Sequence, residues 1–139
     1  MQWLARREHS SFELQQKLIQ KGCAPALATQ VVKRLKAERL LSDERFIEGL
    51  IAARRRRGIG PLRVQRDLHS KGIPDEAIEQ WLDPGGREWI ELLQEVRRKK
   101  FGVKKPKNFS ERAKQARFLQ GRGFSFEQIQ RALSGREDT

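Results

Sequence analysis

The sequence has one cysteine, Cys23, among its 139 residues, and it has no tyrosine. A single cysteine forms neither an internal disulfide nor a zinc site, so the fold depends on neither. The chain has no run of about 18 apolar residues, which a membrane-spanning helix would need. Residues 1–7 also lack the apolar run of a signal peptide. These absences predict a cytoplasmic protein that does not enter a membrane.

Motifs of catalysis and of metal or nucleotide binding are also missing. The sequence has neither a Gly-x-x-x-x-Gly-Lys-Ser/Thr loop nor a His-Glu-x-x-His pair. Gly58-Ile59-Gly60-Pro61 lacks the glycine at the sixth position and the preceding strand that a dinucleotide-binding fingerprint needs. His9 and His69 have no neighbouring metal ligands, so we interpret both as surface or helix-capping residues. We predict a chain that is not an enzyme and that needs no metal or cofactor.

The charge balance is strongly positive. The chain has 30 Lys and Arg against 18 Asp and Glu, which gives a formal charge of +12 and a pI near 10.7. Such an excess favours an acidic partner, of which nucleic acid is the commonest. The alternative at this point is a basic surface that only keeps the protein in solution.

A motif of the form Leu-x-x-basic-Gly-apolar occurs three times, at residues 18–23, 68–73 and 119–124. Its glycines recur at intervals of about 50 residues, which is typical of repeat proteins. A glycine can adopt the left-handed conformation that ends a helix, and a basic residue in the last turn favours the negative end of the helix dipole. Each motif therefore predicts the end of one helix and the approach to the next.

Helix starts are predicted by proline and by capping boxes. Pro25 and Pro74 suit the first turn of a helix. Residues 10–13 and 125–128 have the capping-box form, in which a serine precedes Glu or Gln by three positions. The tryptophans Trp3, Trp81 and Trp89 fall on apolar faces, so we predict core packing for them rather than stacking on nucleobases.

These signals together predict an all-α fold, because no run alternates apolar and polar residues as a strand does. A further helix precedes each glycine-ended pair, and the first copy, from about residue 2 to 8, is short. We predict three tandem three-helix repeats over residues 1–41, 42–83 and 84–139, the last with a C-terminal tail. Repeats of this length stack on their neighbours as an elongated, curved solenoid.

Basic runs recur at the end of the first helix of each repeat, at residues 6–7, 54–57 and 97–100. Equivalent positions in stacked repeats tend to share a face, so the runs predict one basic stripe. Four consecutive arginines surround a helix, so part of each run serves only solvation or the helix dipole. Arginine also binds carboxylates, which leaves an acidic protein surface open as a target.

The residues predicted to form the contact face are Arg6, Arg7, Arg54, Arg55, Arg56, Arg57, Arg63, Arg66, Lys71, Arg97, Arg98, Lys99, Lys100, Lys104, Lys105, Lys107, Arg117 and Arg122. Those of the middle repeat, from Arg54 to Arg66, are the strongest candidates. None of them is predicted to be catalytic.

The motifs resemble those of the RecX family of regulatory proteins, in the family's order and through almost the whole chain. The matching segments are Leu4 to Ser10, Glu13-Leu14 and Lys17-Leu18, then Leu41 to Phe46, Arg57 to Pro61 and Leu68 to Ile73, then Lys99 to Gly102, Arg117 to Leu119 and Arg122 to Phe124. The chain departs from the pattern in two places. Its first helix looks short, as if a leading segment were absent, and Cys23-Ala24-Pro25 stands where a plain apolar residue is usual.

The resemblance implies three tandem repeats that form a curved, basic molecule without a cofactor. It implies binding along the groove of the RecA filament on single- or double-stranded DNA. There the family inhibits the ATPase, strand-exchange and coprotease activities of RecA, and so modulates recombination and the SOS response. The inhibition works by blocking filament growth or by promoting disassembly. We expect a monomer.

Two other functions remain open. A sequence-specific DNA-binding protein would also use helix pairs of this kind, although few side chains after each glycine suit base reading. An RNA- or ribosome-associated basic protein would bind structured RNA without RecA.

Overall fold

The computed structural model describes residues 8–134 and contains eight α-helices and no strand within them. The all-α prediction is therefore confirmed. The predicted first helix, with Trp3, Arg6 and Arg7, lies outside the described residues apart from its last position. The helices are α1 Ser11–Gln20, α2 Pro25–Ala37, α3 Asp43–Arg56, α4 Pro61–Ser70, α5 Asp75–Trp81, α6 Arg87–Phe101, α7 Phe109–Gly121 and α8 Phe126–Ser134.

The recurring glycines end helices as predicted. Gly22, Gly72 and Gly123 have φ angles of 99°, 80° and 102°, in the left-handed region. In the first copy the amide of Cys23 donates to the carbonyl of Leu18 at 3.0 Å, and the other two copies repeat this bond. The same motif therefore closes α1, α4 and α7, and each time it satisfies carbonyls that the helix leaves without partners.

The predicted helix starts are also confirmed. The Gln128 amide donates to Ser125 Oγ at 3.1 Å, and the Ser125 amide donates to Gln128 Oε1 at 3.2 Å. This reciprocal pair is a complete capping box at the start of α8. Pro25 opens α2 in its first turn, and Pro74 immediately precedes α5, where its carbonyl accepts from the amide of Ile78.

The chain forms two compact units. Unit 1 comprises residues 1–51 and 67–81, and unit 2 comprises residues 52–66 and 82–139. In unit 1, α1 packs against α2 through a core of Leu14, Val32, Leu35 and Leu41. The repeat limits of residues 1–41, 42–83 and 84–139 stay a prediction.

Polar side chains join distant parts of unit 1. Ser10 Oγ donates to the carbonyl of Lys71 at 2.7 Å, and Lys71 Nζ lies 3.1 Å from a carboxylate oxygen of Glu13. The carboxylate of Asp43 accepts from both the amide and the hydroxyl of Ser11, at 2.7 and 2.9 Å. These bonds connect the start of α1 to the start of α3 and to the end of α4.

His9 does not lie at the surface, which was one of the two positions that the sequence predicted for it. Only 1% of its area is exposed, and its Nε2 lies 3.1 Å from Lys17 Nζ. Among the tryptophans, Trp89 is buried in unit 2, as predicted, whereas Trp81 in unit 1 remains 39% exposed.

Replacing Ser10 by alanine should lower the free energy of unfolding by about 2 kcal/mol. The fully buried hydroxyl both caps α1, by accepting from the Glu13 amide, and donates to the Lys71 carbonyl. Alanine leaves both backbone groups without this partner. Urea denaturation followed by circular dichroism measures the change. Ser70→Ala is the control, because the exposed Ser70 hydroxyl bonds only to the carbonyl of Asp67; an equal loss in both variants would contradict the prediction.

Unit 2 has its own core, in which α6, α7 and α8 pack together. Its buried side chains are Leu93, Leu119, Phe124, Ile129, Ala132 and Leu133. Four of these six follow the third recurring glycine by one to ten positions, so the turn at Gly123 directs the chain back over the core.

Two backbone segments of unit 2 cross at glycines. The Gly60 amide donates to the carbonyl of Arg122 at 2.6 Å, and the Leu62 amide donates to the carbonyl of Gly123 at 2.9 Å. A Cβ atom on Gly60 would lie 2.6 Å from the carbonyl carbon of Gly123, closer than real Cβ atoms approach backbone. The crossing fixes the start of α4 beside the turn that follows α7.

Candidate nucleic-acid interface

Basic side chains collect where helices end in unit 2. Arg54, Arg55 and Arg56 lie in the last turn of α3, and Arg98 to Lys100 lie in the last turn of α6. Cations at these positions offset the negative end of the helix dipole. The turn after α3 is a fourth copy of the glycine stop, because the Gly58 amide donates to the Arg55 carbonyl at 2.9 Å and Gly58 has a φ of 73°. Sequence reasoning did not identify it.

A groove of about 320 Å³ lies between these helix ends. We call it the basic groove. Its lining consists of Arg55, Arg56, Arg57, Gly58, Leu92, Glu95, Val96, Lys99, Lys100, Phe118 and Arg122. Six of the eleven residues are cationic and only Glu95 is anionic, so the groove keeps a large positive charge.

The aromatic ring of Phe118 contacts two of the cations in the groove. Lys100 Nζ lies 5.4 Å and Arg122 Cζ lies 5.0 Å from the centre of the Phe118 ring. Phe101 meets the same ring edge-on at 5.5 Å, and Arg122 Nη1 donates to the Arg57 carbonyl at 3.0 Å. Attraction of cations to the ring face offsets part of their mutual repulsion without neutralising them. Lys100 and Arg122 are therefore held in place before any ligand arrives.

The carboxylate in the groove provides little neutralisation. Glu95 Oε1 lies 3.4 Å from Lys99 Nζ, and the two side chains are 54% and 78% exposed. A pair this exposed is weak and is screened by salt. An anion with several oxygens, such as a phosphate of a nucleic-acid backbone, would gain several charge-assisted hydrogen bonds in this groove.

The structure brings six of the predicted contact residues into this groove: Arg55, Arg56, Arg57, Lys99, Lys100 and Arg122. Phe118 is the functional residue that sequence reasoning missed. The sequence analysis named it only as part of the family motif Arg117 to Leu119. The neighbouring residues in the sequence do not show whether a phenylalanine packs in the core or contacts cations.

Three other predicted contact residues bond to other parts of the protein and do not line the basic groove. Arg97 is only 2% exposed; its Nε donates to Gln115 Oε1 at 3.0 Å and its Nη2 to the Lys104 carbonyl at 2.9 Å. Its assignment to an exposed contact face is corrected accordingly, since the side chain supports the interior of unit 2. Arg63 Nη1 donates to the Gly121 carbonyl at the end of α7. Lys71 is paired with Glu13 in unit 1.

The other predicted residues within the described range lie outside the basic groove. Lys104, Lys105 and Lys107 line a separate hollow of unit 2. Arg117 lines an apolar depression beside Phe109 and Phe126. Arg54 is half-buried, and Arg66 and Arg98 are exposed.

Two kinds of feature are absent from residues 8–134. In that range no group of three or more His, Cys, Asp or Glu side chains is placed to hold a metal ion. No helix in the same range is long and apolar enough to cross a membrane.

Helices that end in a recurring glycine motif, together with a groove of clustered cations, define an all-helical repeat protein with a surface suited to anions. Three family models agree with this class. They are described as the first, second and third three-helix domains of RecX and match residues 1–35, 42–82 and 87–133. The chain belongs to the RecX family of regulatory proteins. The family is not enzymatic, and the prediction that the chain is not an enzyme is confirmed by this membership.

Full-length relatives support the assignment. The chain is 42% identical to regulatory protein RecX of Pseudomonas fluorescens and 43% identical to that of Pseudomonas syringae pathovar tomato. Each alignment covers 98% of this chain and 88% of the relative. A crystal structure of regulatory protein RecX superposes with a TM-score of 0.76 over 96% of this chain and 67% of that chain. At 16% identity, the superposition shows the shared fold.

Proposed function

We propose that the chain binds the RecA filament on DNA and inhibits its ATPase, strand-exchange and coprotease activities. Membership of the RecX family supports a regulatory role directed at RecA. The observation that carries the proposal is the basic groove, in which six cations lie around one exposed carboxylate and three of them contact aromatic rings. A filament on DNA supplies both phosphates and acidic protein surface to such a groove.

In the proposed mechanism, the basic residues inside the groove and those outside it bind different partners. In the basic groove, Arg56, Arg57 and Lys99 contact phosphates of the DNA, because the other three cations already contact aromatic rings. Arg55 Cζ lies 5.6 Å from the centre of the Trp89 ring, and Lys100 and Arg122 lie over Phe118. The exposed Arg66, Arg98 and Arg117 contact acidic side chains of RecA. A molecule that holds both DNA and protein would bridge adjacent RecA protomers of the filament. Action as a monomer in the cytoplasm, and the curved shape of the repeat array, stay predictions.

The test is ATP hydrolysis by RecA on single-stranded DNA, with this chain added at well below one copy per RecA. We expect strong inhibition at a low ratio, since one bound molecule affects several protomers of the filament. A protein that merely coats the DNA would need nearly one copy for each of its binding sites. Inhibition that appears only near stoichiometric protein would overturn the proposal.

The alternative of a sequence-specific DNA-binding protein is tested by titration of several unrelated duplexes without RecA. The proposed backbone contacts predict affinities that agree within a few-fold, because phosphates carry no base identity. A specific protein would prefer one duplex by about a thousandfold or more.

A further inference from the structure

A second cluster of cations lies in unit 2, apart from the basic groove. Lys104, Lys105, Lys107 and Lys114 line a hollow of about 270 Å³ beside the start of α7. We call it the lysine hollow. Phe101 lines this hollow, while its ring partner Phe118 lines the basic groove. The aromatic pair therefore stands between the two cationic sites.

The backbone of the lysine hollow is fixed from two sides. The buried guanidinium of Arg97 donates to the Lys104 carbonyl at 2.9 Å, which holds the loop on α6. Lys105 Nζ donates to the Ala132 carbonyl at 3.0 Å, which holds the loop on α8. Arg97 thus acts as a positioning residue. The loop has the form needed to present its lysines before a ligand binds.

Glu111 is the carboxylate in the lining of the hollow, and it offsets only one of the four lysine charges there. Glu111 Oε2 accepts from the backbone amide of Lys107 at 2.6 Å. Within residues 8–134, no ion pair engages the ammonium groups of Lys104, Lys107 and Lys114. Three like charges around one small hollow repel each other, and an anion with several charges would relieve that repulsion.

We propose that the lysine hollow is a second phosphate-binding site, which takes several linked phosphate groups at once. Lysine ammonium groups on flexible stems adapt to phosphate oxygens without a fixed geometry, so the site accepts a phosphate chain independently of its bases. The phosphates belong either to the backbone of a nucleic-acid strand or to the polyphosphate tail of a free nucleotide. The first source rests on the proposed function, while the second does not depend on it.

The experiment compares two triple variants of the full chain that lose the same charge. The first is Lys104→Gln, Lys107→Gln and Lys114→Gln. The matched control is Lys33→Gln, Arg34→Gln and Arg87→Gln, whose side chains are exposed and line neither cationic site. Circular dichroism verifies that both variants keep their helices. Two ligands are used without RecA: labelled oligothymidine over a range of salt concentrations, and inorganic tripolyphosphate by calorimetry.

The logarithm of the affinity for a single strand falls linearly with the logarithm of the salt concentration. The slope of this line is about 0.7 for each phosphate that the protein neutralises. If the hollow holds a strand, its variant should flatten the slope by about 1.4 to 2.1 relative to the wild type, because two or three phosphates are no longer neutralised. The control should change the slope by less than about 0.7. This result supports the proposal with nucleic acid as the source.

An unchanged slope with at least tenfold weaker tripolyphosphate binding in the hollow variant supports the proposal with a free nucleotide as the source. If the hollow variant equals the control with both ligands, the proposal is overturned. Inhibition of RecA by the wild-type chain is measured separately. Failure of the proposed function is therefore distinguishable from failure of the second site.

Discussion

Replacing Gly60 by alanine should lower the free energy of unfolding by about 3 kcal/mol or more. The added methyl group would lie 2.6 to 2.7 Å from backbone atoms of Gly123 and Phe124. Backbone has no rotamer through which to move aside, so the two segments must separate. Separation breaks the bonds from the Gly60 and Leu62 amides to the turn after α7. Urea denaturation followed by circular dichroism measures the loss.

Gly121→Ala is the matched control in the same unit. Gly121 lies at the end of α7, and a Cβ atom there meets nothing within 4 Å. Alanine at such a position should stabilise the helix by as much as about 1 kcal/mol, because it restricts the unfolded chain more than glycine does. The two variants should therefore shift the denaturation midpoint in opposite directions. A Gly60→Ala protein as stable as the wild type would show that the crossing is looser than the structure describes.

Reversing three charges in the basic groove should abolish regulation of RecA. Arg56→Glu, Arg57→Glu and Lys99→Glu remove cations that the proposal places on DNA phosphates, and they add three repulsive carboxylates. We expect affinity for single-stranded DNA to fall by about 100-fold or more at moderate salt. Inhibition of RecA-catalysed ATP hydrolysis should fall with it. Helicity should fall only slightly, because the side chains are exposed and carboxylates in the last turns of α3 and α6 oppose the helix dipole weakly.

The control for this variant is reversal of Lys33, Arg34 and Arg87, which changes the net charge equally outside the groove. It should reduce affinity far less, because salt screens attraction over distances beyond about 10 Å much more than it screens direct contacts within the groove. Glu95→Gln should act in the opposite direction and strengthen binding, because it removes the groove's carboxylate. Undiminished inhibition by the triple groove variant would remove the basic groove from the mechanism.

The sequence could predict the helix ends because their determinants lie within a few residues. The stop after α1 depends on bonds that reach from residues 22 and 23 back to residues 19 and 18. The capping box of α8 involves only residues 125 to 128. The lack of alternating strand patterns is also read from neighbours along the chain, and it predicted the all-helical class that the structure shows.

The sequence could not separate structural cations from accessible ones. Arg97 and Arg98 are adjacent in one basic run, yet Arg97 is buried and Arg98 is exposed. Successive residues of a helix point about 100° apart, so one side of the run faces the core while the next side faces solvent. Lys114 carried no local signal at all. It joins the lysine hollow only because α7 packs beside the loop after α6.

The sequence by itself determined the fold class, the family, the ends of the helices and the excess of positive charge, because each depends on composition or on neighbours along the chain. Only the tertiary structure decided which cations share a groove, that Phe118 lies beneath two of them, and that Gly60 meets Gly123. Apart from the contact between Phe118 and Arg122, these contacts join residues about 20 to 65 positions apart. They arise when packed helices bring distant segments together, and no pattern along the chain specifies them.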